Sequence, residues 1–213
     1  MKIKEVILDF FVALVLLLFF LLSSIQIASF KPVVFFLQDT VGVYEEVSLT
    51  REVIKKVTGE TLDYVKGADV ELPYTLREKF HLTEVRALFL NARKYWLVSV
   101  VLVFTIILLT HVEVLQWKER MKVITRGLTI FFLILDLCVL FSFFRFFEVL
   151  HKILFSPGTW EFTKDSLLTT LFPYQFWVSQ TVFVLSFSAF LSAISSFFLR
   201  LLLSPKRIDL EAV

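Results

Sequence analysis

The sequence predicts an all-α membrane protein: a bundle of four transmembrane helices with a small extracytoplasmic loop domain of mixed structure. Hydrophobic residues make up 57% of the 213 residues, and the mean hydropathy is +0.79, too apolar for a soluble domain of this size. Four segments reach the roughly 20 apolar residues that a membrane span requires. Basic residues concentrate in the connections that topology places on one side.

The first element, residues 1–29, is expected to comprise a short cytoplasmic N-terminus and the first span. Lys2 and Lys4 precede an apolar run over 6–29, which at first resembles a signal peptide. That run is too long for a signal sequence, and no cleavage site of the small-x-small type follows it. We therefore expect a retained helix.

The second element, residues 30–95, is expected to be an extracytoplasmic loop that ends in a helix with a polar stripe. Loose alternation predicts a small strand pair over 31–37 and 41–47, and residues 48–66 favour short helices or a turn-rich piece. Thr75 and Glu78 have the spacing of a capping box, which predicts a helix start. This helix is expected to continue into the second span, residues 96–116.

The remaining elements set the orientation in the membrane. A basic loop over 117–126 precedes the third span (127–150), and a second outer loop (151–173) precedes the fourth span (174–203) and the tail (204–213). The basic loop contains Lys118, Arg120, Lys122 and Arg126. Since such residues favour the cytoplasmic side, the sequence predicts a multi-pass plasma-membrane protein with both termini in the cytoplasm.

Composition and motifs exclude several function classes. Basic and acidic residues number 22 and 20, so no strongly basic surface suggests nucleic-acid binding. Cys138 is the single cysteine, which rules out an internal disulfide. The sequence has no GxSxG, P-loop or GxGxxG motif, so serine-hydrolase and nucleotide-binding functions have no support.

Ionisable residues within apolar spans are costly and mark candidate functional positions. Each must have a partner, a water-filled cavity or an interface nearby. Besides the residues considered below, those in or near the spans are Asp9, Asp136, His111 and Glu113.

Two polar stripes are expected at the outer ends of helices. Arg145, Glu148 and His151 follow spacings of three at the outer end of the third span. His81 and Glu84 lie on one face of the helix that starts at Thr75. The topology collects His81 and His151 on the outer side, where they are candidates for catalysis. Metal binding by the pair is a weaker alternative, because metal-ligand spacing is absent.

Four stretches carry a resemblance to a known family: 77–86 (REKFHLTEVR), 147–155 (FEVLHKILF), 158–162 (GTWEF) and 171–177 (LFPYQFW). Together they resemble the four-helix membrane family that includes the lipoprotein intramolecular transacylases of Gram-positive bacteria. The order of the motifs and the topology match over nearly the whole chain. Residues 30–74 carry little recognisable pattern.

The resemblance implies an acyltransferase. Such an enzyme moves the sn-2 acyl chain of a diacylglyceryl-cysteine lipoprotein to the α-amine of the same cysteine, giving the lyso form. The partners implied are this lipoprotein in the outer leaflet and membrane lipid. Ester aminolysis needs neither redox chemistry nor ATP, so no cofactor is expected.

The resemblance also suggests residue roles. We expect His151 to act as general base and acid, oriented by Glu148, and His81 to polarise the ester or stabilise the oxyanion, although the two roles could be exchanged. Glu84 or Arg145 would fix the surroundings of His81. Phe155 and Trp160 are candidates for lining the substrate pocket.

Three alternatives remain open from the sequence. One is a membrane binding or assembly factor without chemistry, and another is a lipoprotein or lipid hydrolase in which water replaces the amine. The third is a transporter or channel that uses Asp136 and Arg145, for which inverted repeats and broken helices are absent.

Overall fold

The computed structural model describes residues 3–46, 49–110 and 114–203, and these residues form helices joined by turns, without strands. The helices in chain order are α1 (Ile3–Ala28), α2 (Lys31–Thr40), α3 (Val43–Glu46), α4 (Arg51–Val65), α5 (Leu76–Thr110), α6 (Val114–Leu154), α7 (Leu167–Leu171) and α8 (Tyr174–Leu203).

Four helices are long and apolar enough to cross a membrane in the described part of the chain: α1, α5, α6 and α8. The four-span prediction is therefore confirmed. Helices α1, α6 and α8 share a membrane core that includes Val12, Phe20, Phe132, Phe143 and Leu185. Helix α5 packs chiefly against α1 and α4 and makes little contact with α6.

Polar contacts inside the bundle give partners to Asp9 and Asp136, the two aspartates of the spans. Arg120 of α6 forms an ion pair with Asp9 of α1, at 2.7 Å. Asp136 of α6 accepts a hydrogen bond of 2.7 Å from Ser186 Oγ of α8. Lipid chains offer a carboxylate no hydrogen-bond donor, so these acidic groups are satisfied by bonds to a neighbouring helix. His111 and Glu113 lie outside the described residues.

A helical cap closes one end of the bundle; it comprises α2, α3, α4, the start of α5 and α7. Its core is apolar and includes Val34, Ile54, Leu82, Leu171 and Phe176. Buried Gln38 of α2 ties the cap together by donating to Thr58 Oγ1 of α4 and to the Leu171 carbonyl of α7, at 3.1 and 2.8 Å. The polar centre of the cap is thereby satisfied, as burial demands.

The predicted mixed structure of this loop domain is wrong, because the cap is helical. The stretch 31–37 lies in α2, which has Pro32 in its first turn and buries Val34, Leu37 and Gln38. That spacing of three and four is helical, and it outweighs the β-branched composition. Gly42, with φ of +78°, makes the turn into α3, so residues 41–46 form no strand. Residues 47 and 48 lie outside the described residues, and most of the piece after them forms one helix, α4 (Arg51–Val65).

The expected basic loop over 117–126 is also corrected, since these residues are helical and belong to α6. No residue in this segment breaks a helix, because it contains neither proline nor glycine. Gly127 comes directly after it. Further along, α6 bends at Ser142, whose φ and ψ of −142° and 32° are not helical. The tail 204–213 lies outside the described residues.

Glu78 fixes the start of α5, as the predicted capping box requires. Its Oε2 accepts from the backbone N and the Oγ1 of Thr75, at 2.8 and 2.7 Å. Its Oε1 accepts from the backbone N of Leu168, at 2.8 Å. The side chain is 1% exposed. One carboxylate thus caps α5 and also holds the first turn of α7.

We predict that Glu78→Ala lowers the free energy of unfolding by about 3 kcal/mol, because hydrogen bonds to a charged group contribute about 1.5–3 kcal/mol each and buried donors would be left unpaired. Thermal unfolding in detergent measures the loss. Glu71→Ala is the matched control, since Glu71 is exposed and the substitution removes the same charge. Equal stability of the two variants would contradict the role given to Glu78.

Candidate active site

Two histidines meet where α5 and α6 reach the cap. His81 lies in the second turn of α5, and His151 lies in the last turn of α6. Their ring centroids are 6.3 Å apart and the rings are inclined by 21°. At this separation, the ring nitrogens of both imidazoles lie near one another, so both could act on the same substrate group. The structure therefore brings together the two histidines that the sequence collected on one side.

Aromatic rings enclose the histidine pair. Phe155 contacts both imidazoles, with centroids 4.6 Å from His81 and 5.1 Å from His151. Trp160 lies 5.1 Å from His151, and Phe162 lies 5.6 Å from His81. The expected pocket residues Phe155 and Trp160 are thus beside the histidines. Such an apolar enclosure strengthens any electrostatic interaction made inside it.

A backbone hydrogen bond fixes the orientation of His151. Its Nδ1 lies 2.8 Å from the carbonyl oxygen of Phe147, one turn earlier in α6. A carbonyl oxygen only accepts, so Nδ1 carries the proton and the neutral ring presents the lone pair of Nε2. The Phe147 ring also contacts the imidazole, with centroids 3.9 Å apart. His151 is therefore held with a basic nitrogen free to take a proton.

His81 has the opposite kind of environment. It is 8% exposed, and its Nδ1 is buried without a hydrogen-bond partner in the described structure. Burial among rings favours the neutral imidazole, which always keeps one N–H donor. If Nε2 carries that hydrogen, His81 offers a donor close to the base. The pair then combines one acceptor and one donor, the combination that acyl transfer needs.

Glu84 holds the loop that covers the histidines. Its Oε1 accepts from the backbone N of Ser156 at 3.1 Å, and its Oε2 accepts from Thr159 Oγ1 at 2.7 Å. These bonds join α5 to the segment between Phe155 and Trp160. Glu84 was expected to fix the surroundings of His81, and its contacts place it on the loop rather than on the imidazole.

Arg77 supports the same loop from the start of α5. Its Nη2 and Nε donate to the Gly158 carbonyl at 2.8 and 3.2 Å, and its guanidinium lies 5.7 Å from the centre of the Phe162 ring. Gly158 has a φ of +80°, a backbone conformation that residues with a side chain rarely adopt. A glycine therefore allows the tight turn that aims its carbonyl at Arg77.

Two predicted supporting residues lie apart from the histidines. Glu148 pairs with Lys152 at 2.5 Å, so the expectation that it orients His151 is corrected: the Phe147 carbonyl does so. Helical spacing of three places side chains on one face but does not make them touch. Arg145 is exposed and borders a cleft at the Ser142 bend. It lies about three helical turns before the loop that Glu84 holds.

Sequence reasoning gave no role to Phe147, Arg77 or Phe162. A backbone acceptor such as the Phe147 carbonyl leaves no trace in residue identity, so it could not have been found. Arg77 and Phe162 stand inside the quoted stretches 77–86 and 158–162, which was the available signal. Among the described residues, no three His, Cys, Asp or Glu side chains are grouped so that they could hold a metal ion.

Comparison with known proteins adds a family and a fold. A family model described as lipoprotein intramolecular transacylase Lit matches residues 10–177. An uncharacterized protein of Aquifex aeolicus (strain VF5) is 27% identical over 112 residues, which are 52% of this chain. The match spans about half of that curated relative, 49% of its length.

Solved structures similar to this chain include in meso structures of the membrane integral lipoprotein intramolecular transacylase Lit from Bacillus cereus. One has a TM-score of 0.79 at 20% identity and covers 95% of this chain and 99% of that chain. A form with a histidine replaced by alanine has a TM-score of 0.74 at 19% identity, and the match covers 97% of this chain and 98% of that chain. At such identity the likeness establishes the fold alone.

We predict that Glu84→Gln loosens the loop over the histidines, because the neutral amide accepts more weakly than a carboxylate from Ser156 and Thr159. Amide hydrogen exchange over 155–160 should accelerate about tenfold, corresponding to roughly 1.4 kcal/mol. Glu161→Gln is the control, since Glu161 is exposed in the same loop and forms no hydrogen bond in the described structure. Equal exchange in both variants would remove Glu84 from this role.

Proposed function

The chain belongs to the lipoprotein intramolecular transacylase Lit family, and we propose that it moves the sn-2 acyl chain of a diacylglyceryl-cysteine lipoprotein onto the α-amine of that cysteine. The observation that carries this proposal is the pair of imidazoles 6.3 Å apart, one of which has its tautomer set by the Phe147 carbonyl.

The reaction redistributes one acyl group and one proton within a single substrate. The amine nitrogen forms a bond with the ester carbonyl carbon, and the bond between that carbon and the sn-2 oxygen breaks. The proton lost by the nitrogen ends on the released glycerol hydroxyl. Atoms balance without a second reactant, so the substrate and the product have the same mass. Since no electrons are transferred and the protein's own imidazole can supply the proton to the leaving oxygen, we propose that no cofactor is used.

His151 is the proposed base and acid. An α-amine has a pKa near 8 and an imidazole near 6.5, so a neutral imidazole beside the amine can accept its proton as the new bond forms. The Nδ1 bond to Phe147 leaves Nε2 for this purpose. The same Nε2 then returns the proton to the departing glycerol oxygen, so that one nitrogen serves both steps.

His81 is the proposed stabiliser of the oxyanion. The carbonyl oxygen becomes negative in the tetrahedral intermediate, and a donor already in place contributes most where water is excluded. His81 is buried, and Phe155 and Phe162 cover it. This geometry favours the assignment of His151 as base over the exchanged one, because the Nδ1 of His81 has no fixed partner in the described structure.

The remaining residues would position the substrate. Attack of the amine on the sn-2 ester passes through a ring of about eight members, which gains proximity only if the substrate is held in a bend. The loop that Glu84 and Arg77 anchor presses Phe155 and Trp160 against the imidazoles. We propose that these two rings line the acyl and glyceryl groups. Arg145 and Glu148, farther from the rings, are proposed to contact only the outer parts of the substrate.

The proposed site lies on the extracytoplasmic side. Residues 117–126 carry four basic side chains, and they belong to the end of the bundle opposite the cap, near Asp9. Basic connections favour the cytoplasm, so the cap and the histidines would face the outer leaflet, with both termini inside. A lipoprotein anchored in that leaflet presents its diacylglyceryl-cysteine at the same depth.

We predict that the purified protein converts a diacylglyceryl lipopeptide with a free N-terminus into an N-acylated lyso form of unchanged intact mass. Fragmentation by mass spectrometry locates the acyl chain on the amine. His81→Ala and His151→Ala should each lower the initial rate by at least about a hundredfold, the range for loss of acid–base or oxyanion assistance. Lys164→Gln, a change at an exposed residue of the loop 155–166, should leave the rate unchanged.

Other products would identify the other functions. A lyso-lipopeptide with a free amine, together with released fatty acid, would mean that water is the nucleophile and the protein is a hydrolase. Unaltered substrate with folded protein would contradict the transacylase proposal for this substrate and favour a binding or assembly role.

A further inference from the structure

A second cavity lies away from the histidines, between α1, α5 and α8. Its volume is about 670 Å³. It extends along α1 from Ser29, beside the cap, to Phe19, about ten residues or roughly 15 Å. The hydrocarbon region of a bilayer is about 30 Å thick, so the cleft has the depth of one leaflet.

The rim of this cleft is basic. Lys66, at the end of α4, and Arg93 of α5 both line it. Neither forms an ion pair with an acidic side chain in the described structure. Asp63, the acid closest along the chain to Lys66, is paired with Lys31 at 2.7 Å. The Nζ of Lys66 donates to the Ser29 carbonyl at 2.6 Å and keeps two further N–H groups. The rim therefore offers two cations that form no ion pair in the described structure.

Lys66 is also partly withdrawn from water. Burial lowers its pKa, Asp63 acts in the opposite direction, and Lys31 lowers it further. Its ammonium lies 5.5 Å from the centre of the Phe30 ring. An anion at the rim would favour the charged ammonium by replacing lost hydration.

A polar group without a partner follows the basic rim. The Nε2 of Gln26 is buried and has no hydrogen-bond partner in the described structure, and the side chain lines the cleft. Gln26 lies three residues, about 4.5 Å, below Ser29 along α1. A buried amide hydrogen requires an acceptor, and an unmet one costs about 1–3 kcal/mol in general, so the position calls for a ligand oxygen.

The deeper part of the cleft is apolar. Phe19, Phe20, Leu191 and Ile194 line it, below the level of Gln26. Trp96, whose Nε1 donates to Ser23 Oγ at 3.0 Å, closes it on the side of α5. With increasing depth, Lys66 lies at the level of Ser29, Gln26 and Arg93 follow about one turn below it, and hydrocarbon walls come last. A glycerophospholipid has the complementary sequence: phosphate, ester carbonyl, acyl chain.

We propose that this cleft binds one anionic phospholipid of the leaflet that the cap faces, with its phosphodiester at Lys66 and Arg93, an ester carbonyl at Gln26 and acyl chain along α1 and α8. A headgroup without its own cation fits best, because the rim supplies two positive charges and no paired carboxylate. The lipid would lie beside α1, between α5 and α8. This binding site goes beyond the proposed function and does not depend on it.

Native mass spectrometry of the full chain, released from detergent micelles, tests the proposal with phosphatidylglycerol and phosphatidylcholine of equal acyl chains. We expect one bound phosphatidylglycerol per chain and a preference of about thirtyfold over phosphatidylcholine, about fivefold for each basic residue. The double variant K66Q/R93Q should lose this preference. Q26L should lower the affinity for both lipids a few-fold without changing the ratio of the two affinities.

Controls separate site binding from total charge and from fold. K94Q/K164Q removes the same charge at exposed positions outside the cleft and should keep the preference. K66R/R93K retains both positive charges in place and should also retain the preference for phosphatidylglycerol. That result would show that the site tolerates substitution without unfolding. Excess glycerophosphoglycerol, the headgroup without chains, should not displace the lipid.

Specific results would overturn the proposal: a wild-type preference near one, an equal loss in K94Q/K164Q, a preference that survives in K66Q/R93Q, or displacement by the headgroup alone. Because binding rather than acyl transfer is measured, none of these results bears on the proposed transacylase activity.

Discussion

The position of the site depends on one buried carboxylate. Glu78 accepts from the backbone N of Thr75, just before α5, and from the backbone N of Leu168 in α7. It therefore fixes both the start of α5 and the helix that follows the loop 155–166. His81 follows Glu78 by three residues, nearly one turn. An interaction that sets where a helix begins also sets the direction of every side chain near its start. Within the cap, this bond determines which way His81 points.

Hydrogen bonding explains why the bundle and the cap are built differently. In lipid, apolar contact between helices gives no gain over contact with acyl chains, so small polar residues hold the helices together. Ser188 of α8 donates to Ser24 of α1 at 2.9 Å, and Ser192 donates to the Thr125 carbonyl of α6 at 2.7 Å. The cap instead encloses a continuous apolar core of Val, Leu, Ile and Phe side chains. Water is available to drive that burial.

Sequence patterns predicted the parts of the structure whose causes are local. Span length, the capping box of Thr75 and Glu78 and the helical faces of His81 and His151 follow from spacing, and the structure contains them. The predicted strand pair was wrong because composition was weighed above the spacing of Val34, Leu37 and Gln38. The orienting partner of His151 was missed because it is a backbone carbonyl, and Glu148 finds a nearer cation in Lys152. Spacing alone could not decide which of several nearby groups a side chain bonds, because that depends on distances in the folded protein.

The two histidines belong to helices that otherwise scarcely touch, and this bears on how the site could work. Helix α5 packs on α1 and α4, while α6 packs on α8, so the bundle alone does not set the separation of His81 and His151. The bonds from Glu84 and Arg77 to the loop after α6 supply that constraint within the cap. Below them, α5 and α6 make little contact, so the two helices do not pack closely against each other beneath the pair. A reaction that must bend a two-chain lipid through a ring of about eight members needs both conditions: fixed polar groups at the ester and freedom for the chains.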